Sequence, residues 1–170
     1  MNLQLSEISV SEKELFFNLY NLYLYELSSY TGEDVREDGK FDLGNTHLYL
    51  EKQALVPYLI RADEQIAGFI LICSPPYTPN EEDYSIQELF LLKKFRGKNL
   101  ASEAVGQVFQ LHPGTYHVEQ LENNLAAVGF WKKLYANLNI SFIEERTTVT
   151  IDGLSGEHGI VSQRFTVTGA

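Results

Sequence analysis

Apolar residues recur along this chain with two different periods. In some segments they return every three or four positions, as on one face of a helix, and in others they alternate or form short runs, as in strands. The predicted helices cover 11–30, 100–111 and 124–138, with a short one over 46–53. The predicted strands cover 3–9, 55–62, 65–73, 84–92, 115–120, 140–151 and 157–168.

Local signals indicate where several of these elements begin and end. Ser11 and Glu14 form a capping box that opens the first helix. Asp63-Glu64 joins two apolar runs into a predicted hairpin, and the last two strands are expected to close the chain as another hairpin. The polar, glycine-bearing segment 33–45 predicts a loop of a size that often has a functional role.

The order of the elements predicts an α/β fold of the mixed α+β kind, with helices on both faces of one central sheet. The chain has 170 residues, which is long enough for a sizeable core. No linker and no repeat divides it, so we expect a single domain spanning 1–170.

The charge balance is strongly acidic, with 23 Asp and Glu against 13 Lys and Arg, giving a net charge of -10. Binding to nucleic acid needs a basic face, so nucleic acid is not expected as the main partner. The acidity suits a cationic substrate such as an amine, and it equally suits a role in solubility alone. No stretch approaches the ~20 apolar residues of a membrane helix, and no signal-peptide pattern is present. We therefore expect a cytoplasmic protein without membrane contact.

Neither cysteine nor histidine forms a pattern that indicates metal or redox chemistry. Cys73, the only cysteine, lies in an apolar run, which predicts a buried and inert thiol. The histidines show no metal-ligand spacing, so no metal site is expected; they are His47, His112, His117 and His158.

The chemically most distinctive segment is a basic turn between the strand 84–92 and the helix 100–111. Four of the 13 basic residues fall within six positions there: Lys93, Lys94, Arg96 and Lys98. A helix N-terminus offers unpaired N–H groups and a partial positive charge. Gly97 and Asn99 permit the positive φ angles that turn successive N–H groups toward an anion. The pattern predicts a phosphate or pyrophosphate site, and a solvated basic turn is the alternative.

Two segments resemble the sequence signatures of the GNAT superfamily of N-acetyltransferases. Arg96-Gly97-Lys98-Asn99-Leu100-Ala101 resembles the acetyl-CoA-binding motif Q/R-x-x-G-x-G/A, with Asn99 at the first glycine position. The run from Asn124 to Trp131 resembles the second motif, N-x-x-A-x-x-F-Y/W. Both motifs occur in the family's order, and the run 113–120 is similar to a bacterial subgroup of predicted acetyltransferases.

This resemblance implies a cofactor and the residues that bind it. The cofactor is acetyl-CoA, without a metal, and the sheet is largely antiparallel and splayed between its fourth and fifth strands. The implied cofactor-binding residues are Phe90, Leu91, Arg96, Gly97, Lys98, Asn99, Leu100, Ala101 and Asn124. Backbone groups of Phe90 and Leu91 would pair with the pantetheine arm, and Leu91 N–H would polarise the thioester carbonyl.

The resemblance also implies direct attack of a neutral amine on the thioester, with Glu88 as the base. Glu88 interrupts an apolar strand, where a carboxylate acquires a useful pKa; pairing with a backbone group or a basic neighbour is the alternative. Trp131 stands where many relatives have a tyrosine that protonates the thiolate, and an indole N–H cannot do so. Tyr135, four residues on, is the substitute acid, and unassisted departure of the thiolate is the other option.

The expected acceptor is a primary amine of a small molecule or a peptide. It would enter between the first helix, the loop 32–45 and the closing hairpin. A module of this fold that binds CoA but transfers nothing is the alternative function, because the usual tyrosine is missing. The resemblance also allows a homodimer.

Overall fold

The computed structural model describes residues 1–169, which form three α-helices and seven strands. The helices are α1 (Lys13–Thr31), α2 (Leu100–Leu111) and α3 (Leu125–Asn137). The strands are β1 (Leu3–Glu7), β2 (Leu55–Ala62), β3 (Gln65–Cys73), β4 (Tyr84–Leu91), β5 (Gly114–Leu121), β6 (Phe142–Thr150) and β7 (Glu157–Val167). Each predicted element is present, with ends that differ by a few residues, and the predicted short helix is the 3-10 helix Thr46–Leu50.

The first helix starts differently from the prediction. Glu12, not Glu14, reaches back, and its carboxylate accepts a hydrogen bond from Ser9 N–H at 3.1 Å. Ser9 has the extended backbone that an N-cap requires, with φ -91° and ψ 165°. A 3-10 turn then precedes α1, so the predicted capping box of Ser11 and Glu14 was wrong by two positions.

The sheet is mixed and largely antiparallel. Over residues 1–169 its strand order is β1-β2-β3-β4-β5-β7-β6, and only β4 and β5 run parallel to each other. The hairpins predicted at β2–β3 and β6–β7 are both formed. Asp63 and Glu64 make the β2–β3 turn with φ angles of 48° and 67°, the conformation that suits the twist of a tight hairpin.

The two faces of the sheet have separate cores. On one face α1 packs on β2, β3 and β4, and its Phe16 and Leu19 meet Phe69 and Leu71 there. On the other face the apolar sides of α2 and α3 pack on the middle of the sheet. Helices therefore cover both faces, which confirms the predicted fold class. No helix within residues 1–169 has the length and apolarity needed to cross a membrane.

Candidate active site

The two parallel strands separate after a short contact. β4 and β5 pair only between Tyr84 and Tyr116 and between Ser85 and His117. Both strands then continue without pairing to each other, so the second half of β4 presents a free edge to a slot between them. The splay between the fourth and fifth strands is thereby confirmed.

The pairing of β4 with β3 decides which backbone groups face this slot. Leu92 N–H donates to Ala67 O at 2.8 Å, and Leu91 lies opposite Gly68. In such an antiparallel register the amide and carbonyl of Phe90 point toward β3, and those of Leu91 point into the slot. Of the two residues expected to pair with a pantetheine arm, only Leu91 directs its backbone there, and the Phe90 part of the expectation disagrees with the register.

Gly68 makes the close approach of β3 and β4 at this point feasible. A Cβ atom on Gly68 would lie 1.9 Å from Phe90 O and 3.0 Å from Leu91 Cα. A side chain here would push β4 out of register, because the obstacle is backbone rather than a flexible side chain. This role of Gly68 was not predicted, because its only signal in the sequence is a glycine inside an apolar strand.

The turn between β4 and α2 has the backbone shape that its sequence predicts. Gly97 and Asn99 have φ angles of 72° and 64°, both in the left-handed region. Leu100 is only 2% exposed and anchors the first turn of α2, whereas Lys98 is exposed and Ala101 is half-buried. Asn99 forms no side-chain cap, so the first N–H groups of α2 stay open to an anion.

Arg96, which was expected to add charge for a phosphate, is engaged by other protein groups. Its Nε donates to Leu91 O at 2.8 Å, and its two terminal nitrogens donate to the carboxylate of Glu26 in α1 at 2.6 and 2.7 Å. Its guanidinium group also lies 5.8 Å from the centroid of the Phe90 ring. The side chain thus joins the turn to β4 and to α1.

Glu88 lies in the same half of β4, directly after a β-bulge. The bulge places Glu88 opposite Leu71 and leaves Gln87 unpaired, which changes the direction of the following side chains. The half-buried Glu88 carboxylate accepts a hydrogen bond from the Tyr23 hydroxyl of α1. Burial raises the pKa of Glu88 to about 7, Tyr23 lowers it in part, and the charge of Glu119 on β5 raises it.

The surroundings of Glu88 on the α1 side are aromatic and acidic. Burial raises the pKa of Tyr20 and of Tyr23, so both hydroxyls remain donors. Glu33, in the loop after α1, also has a raised pKa because of burial and the charge of Asp42. These residues belong to the first helix and the loop after it, which were expected to line the acceptor side, but no partner was predicted for Tyr23.

The residues of the second motif mostly serve α3 itself. The Asn124 side chain caps the helix by accepting a hydrogen bond from Ala127 N–H at 3.2 Å. Trp131 is 6% exposed and Tyr135 is 0% exposed, and the Tyr135 hydroxyl donates to Gln163 Oε1 at 3.1 Å. Burial raises the pKa of Tyr135, so neither its position nor its acidity favours the role of an acid in the slot.

The predicted buried and inert thiol of Cys73 is confirmed. Cys73 is 3% exposed, and burial raises the pKa of its thiol to about 11. Among the histidines, His117 contacts one other candidate ligand, Glu119, at 3.2 Å. Within residues 1–169, no group of three or more His, Cys, Asp and Glu side chains is placed to hold a metal ion.

The fold is shared with acetyltransferases of known structure. An acetyltransferase from Thermus thermophilus has a TM-score of 0.65 at 12% identity, covering 95% of this chain and 96% of its own. Spermidine N-acetyltransferase from Vibrio cholerae, in complex with CoA and spermine, has a TM-score of 0.65 at 18% identity, covering 97% and 95%. The ribosomal-protein-S18-alanine N-acetyltransferase from Escherichia coli has a TM-score of 0.61 at 10% identity, covering 99% and 96%. At these identities the likeness shows the fold alone, which is that of the acetyltransferase class.

The sequence places the chain within this class. Residues 16–135 match the model of the acetyltransferase (GNAT) family, which is well over half of the chain. The chain therefore belongs to the GNAT family of acetyltransferases, as its two motifs predicted. A comparison with the curated proteins found no match.

Proposed function

We propose that the protein transfers the acetyl group of acetyl-CoA to a primary amine of a small molecule or a peptide. The observation that carries the proposal is Glu88, a carboxylate whose pKa is raised to about 7 beside the free edge of β4. A base with this pKa is partly ionised near neutral pH, so it can accept a proton from an ammonium group and release it again. Membership of the family supports acetyl-CoA as the donor.

The cofactor would be held mainly by backbone groups. The first N–H groups of α2 face outward after the left-handed residues Gly97 and Asn99, and such a helix start suits the pyrophosphate of CoA. Lys98 is exposed beside them and would add charge. The Vibrio cholerae protein of the same fold was crystallised with CoA, which supports a CoA site here. The remaining proposed contacts are Leu91, Leu100, Ala101 and Asn124.

The reaction would be a direct displacement. The nitrogen of the neutral amine attacks the thioester carbonyl carbon, the N–C bond forms, the C–S bond breaks and CoA leaves as a thiolate. Glu88 first accepts the ammonium proton, which gives the neutral amine, and the second proton lost from nitrogen as the amide forms passes to solvent. Leu91 N–H stabilises the charge that develops on the carbonyl oxygen. The thiolate takes its proton from solvent, because Tyr135 is fully buried. The positive ends of α2 and α3, which follow the two splayed strands, would ease its charge.

The acceptor is proposed to be cationic before it reacts. Glu119 of β5 is close enough to Glu88 to raise its pKa, and its side chain is 57% exposed. With a net charge of -10 for the whole chain, the field around the slot attracts a protonated amine.

Thiol release from acetyl-CoA across a panel of amines tests this function. Glu88→Gln should lower kcat about 100-fold, the scale typical of a general base, and should remove the fall in rate below about pH 7 that protonation of Glu88 causes. Glu7→Gln is the matched control, since Glu7 is an exposed glutamate on β1. An unchanged rate and pH profile in Glu88→Gln would exclude Glu88 from the mechanism.

The burial of Trp131 and Tyr135 favours one alternative, a catalytically silent module that binds CoA or acyl-CoA. Titration calorimetry with CoA, combined with the thiol-release assay on the amine panel, distinguishes the acetyltransferase from the silent module. Binding of CoA without thiol release from any amine supports the silent module, and thiol release rejects it. If CoA does not bind at millimolar concentration, both proposals fail.

A homodimer is also a proposal. β6 is the last strand of the sheet and most of its residues are exposed, and such an edge can pair with another chain. Sedimentation equilibrium tests it, and a monomer at all accessible concentrations would reject it.

A further inference from the structure

Two side chains of α1 reach β4 and the turn that follows it. Tyr23 and Glu26 are three residues apart, so they lie on the same face of the helix. Tyr23 donates to Glu88, and Glu26 accepts both terminal nitrogens of Arg96. The proposed base and the proposed cofactor turn are therefore joined through one turn of α1.

Arg96 is poorly placed to serve as a phosphate ligand. Its Nε and both terminal nitrogens already have acceptors on the protein, at Leu91 O and Glu26. A bidentate salt bridge between a guanidinium and a carboxylate is strong and fixes the geometry of both side chains. Two of its five N–H donors stay uncommitted, but a phosphate that used them would lie beside the Glu26 carboxylate, whose charge would repel it.

The contact with Leu91 has a second consequence. The Leu91 carbonyl points into the slot, where β5 has diverged and offers no backbone partner. Arg96 satisfies this carbonyl, as a neighbouring strand would, and leaves the Leu91 N–H facing the slot. The half of β4 that carries Glu88 is thereby held in strand conformation without a second neighbouring strand.

We infer that Arg96 is a positioning residue for acetyl transfer, which with Glu26 holds Tyr23 against Glu88 and holds Leu91 at the slot. This inference rests on the proposed function, because the position of Glu88 matters for rate only if Glu88 is the base. We call the contact between Glu26 and Arg96 the α1 brace. Breaking the brace should slow the chemical step while leaving the backbone site for the cofactor in place.

The main test compares Arg96→Met, Glu26→Gln and the double variant. Each should lower kcat about tenfold, within the range that small displacements of reacting groups produce. The double variant should be no slower than either single one, because both remove the same contact. The dissociation constant of CoA, measured by calorimetry without an amine, should change less than about threefold, since the brace is not part of the helix start that binds the anion.

Arg96→Lys separates positioning from phosphate binding. Lysine keeps the charge but lacks the planar group that reaches Leu91 O and Glu26 together, so kcat should stay as low as in Arg96→Met. A phosphate-binding role for Arg96 would overturn the inference and would give a different pattern. Arg96→Met would then weaken CoA binding about tenfold or more, and Arg96→Lys would restore it. Glu26→Gln would leave CoA binding unchanged or make it tighter.

Two variants control for the lost charges. Glu14→Gln removes one exposed carboxylate from α1 far from the brace. Lys52→Met removes one exposed cation from the segment that joins the short 3-10 helix to β2, outside the basic turn. A fall in kcat that these controls reproduce would be a charge effect and would overturn the inference.

A measurement that needs no activity keeps this inference separate from the proposed function. The carboxyl resonance of Glu88, assigned with Glu88→Gln, reports its pKa by NMR. The charged and titratable groups around it are Tyr20 and Tyr23 of α1, Tyr49 of the short helix, Cys73 of β3 and Glu119 of β5. Because the Tyr23 hydrogen bond lowers the pKa of Glu88, loosening α1 should raise it in Arg96→Met and Glu26→Gln but not in Glu14→Gln. An unmoved pKa in both brace variants overturns the inference, whether or not the protein releases thiol.

Discussion

The two helices that follow the parallel strands begin in opposite ways, although each is preceded by an asparagine. Asn99 precedes α2 in the left-handed region and provides no side-chain cap. Asn124 precedes α3 and accepts a hydrogen bond from Ala127 N–H. The start of α2 therefore stays open to an anion, and the start of α3 is partly closed by its own side chain. The conformation of the asparagine, rather than its identity, decides whether a helix start remains free for a ligand.

The largest effect is expected when a carboxylate is placed in the first turn of each helix, which tests whether the start of α2 binds an anion and the start of α3 does not. Ala101 and Ala126 are the second residues of α2 and α3. Ala101→Glu should weaken CoA binding about 100-fold, because a negative charge occupies the site proposed for the pyrophosphate. Neither variant should unfold the protein, since a carboxylate is favourable near a helix N-terminus.

Titration calorimetry measures the affinity of each variant for CoA, and thermal unfolding checks that both variants are folded. Ala126→Glu is the comparison and should weaken the affinity less than about tenfold, since the first turn of α3 lies beside the proposed contact of Asn124 with the pantetheine arm rather than at the pyrophosphate. Equal losses of affinity in the two variants would show that the start of α2 is not special.

Tyr23→Phe tests the contact between α1 and Glu88, and its expected effect on the rate is smaller than the effect of Ala101→Glu on CoA binding. Phenylalanine keeps the buried ring but removes the hydroxyl that donates to Glu88. That bond favours the charged carboxylate, so its loss raises the pKa of Glu88 above about 7. The base then stays protonated to higher pH, and the acid limb of the kcat/KM profile should move upward.

The rate of Tyr23→Phe at pH 7 should fall about tenfold, as for a partly protonated and less well positioned base. Thiol release measured from acid to alkaline pH gives both quantities. A profile that moves to lower pH, or does not move, would show that the hydroxyl does not govern the ionisation of Glu88.

The turn between β4 and α2 could be predicted from the sequence because its shape is local. Gly97 and Asn99 permit positive φ angles, and the helical spacing of Leu100 and the apolar residues after it indicates the start of α2. Neighbours in sequence are sufficient for such a site, because it is formed by backbone groups.

The partners of side chains could not be predicted, since they depend on packing between distant elements. Arg96 and Glu26 are 70 residues apart, and Tyr23 and Glu88 are 65 residues apart. Nothing local indicates that an arginine in a basic turn will face a helix glutamate instead of a ligand. The two-residue error at the capping box of α1 has a different cause, since two serines each precede a glutamate by three positions.

Asn124 allows a finer test, because its two roles can be separated. Asn124→Ala removes the cap and the proposed contact with the pantetheine arm, whereas Asn124→Asp keeps a capping oxygen but loses the amide donors. The free energy of unfolding should fall by about 1 kcal/mol in Asn124→Ala and little in Asn124→Asp.

CoA binding should weaken about fivefold in both Asn124 variants, the size of one lost hydrogen bond. Urea unfolding and calorimetry measure the two effects. If only Asn124→Ala weakens binding, Asn124 acts through the order of α3 and makes no contact with the cofactor.

The smallest effect on rate is expected at Tyr135, the sequence-based choice for the acid. Tyr135→Phe removes a hydroxyl that donates to Gln163 Oε1, an oxygen that also accepts from Gln120 at 2.8 Å. Gln163 Oε1 keeps its hydrogen bond from Gln120 in this variant. The free energy of unfolding should therefore fall by only about 1 kcal/mol. The rate of thiol release and its pH profile should match the parent protein.

Tyr23→Phe is the matched comparison for Tyr135→Phe, because each removes one phenolic hydroxyl from a helix. The hydroxyl on α1 should affect the rate more than the stability, and the hydroxyl on α3 should affect the stability alone. A large fall in kcat in Tyr135→Phe, with the free energy of unfolding unchanged, would reverse this assignment. It would mean that α3 departs from its packed position during turnover and brings a phenol to the leaving thiolate.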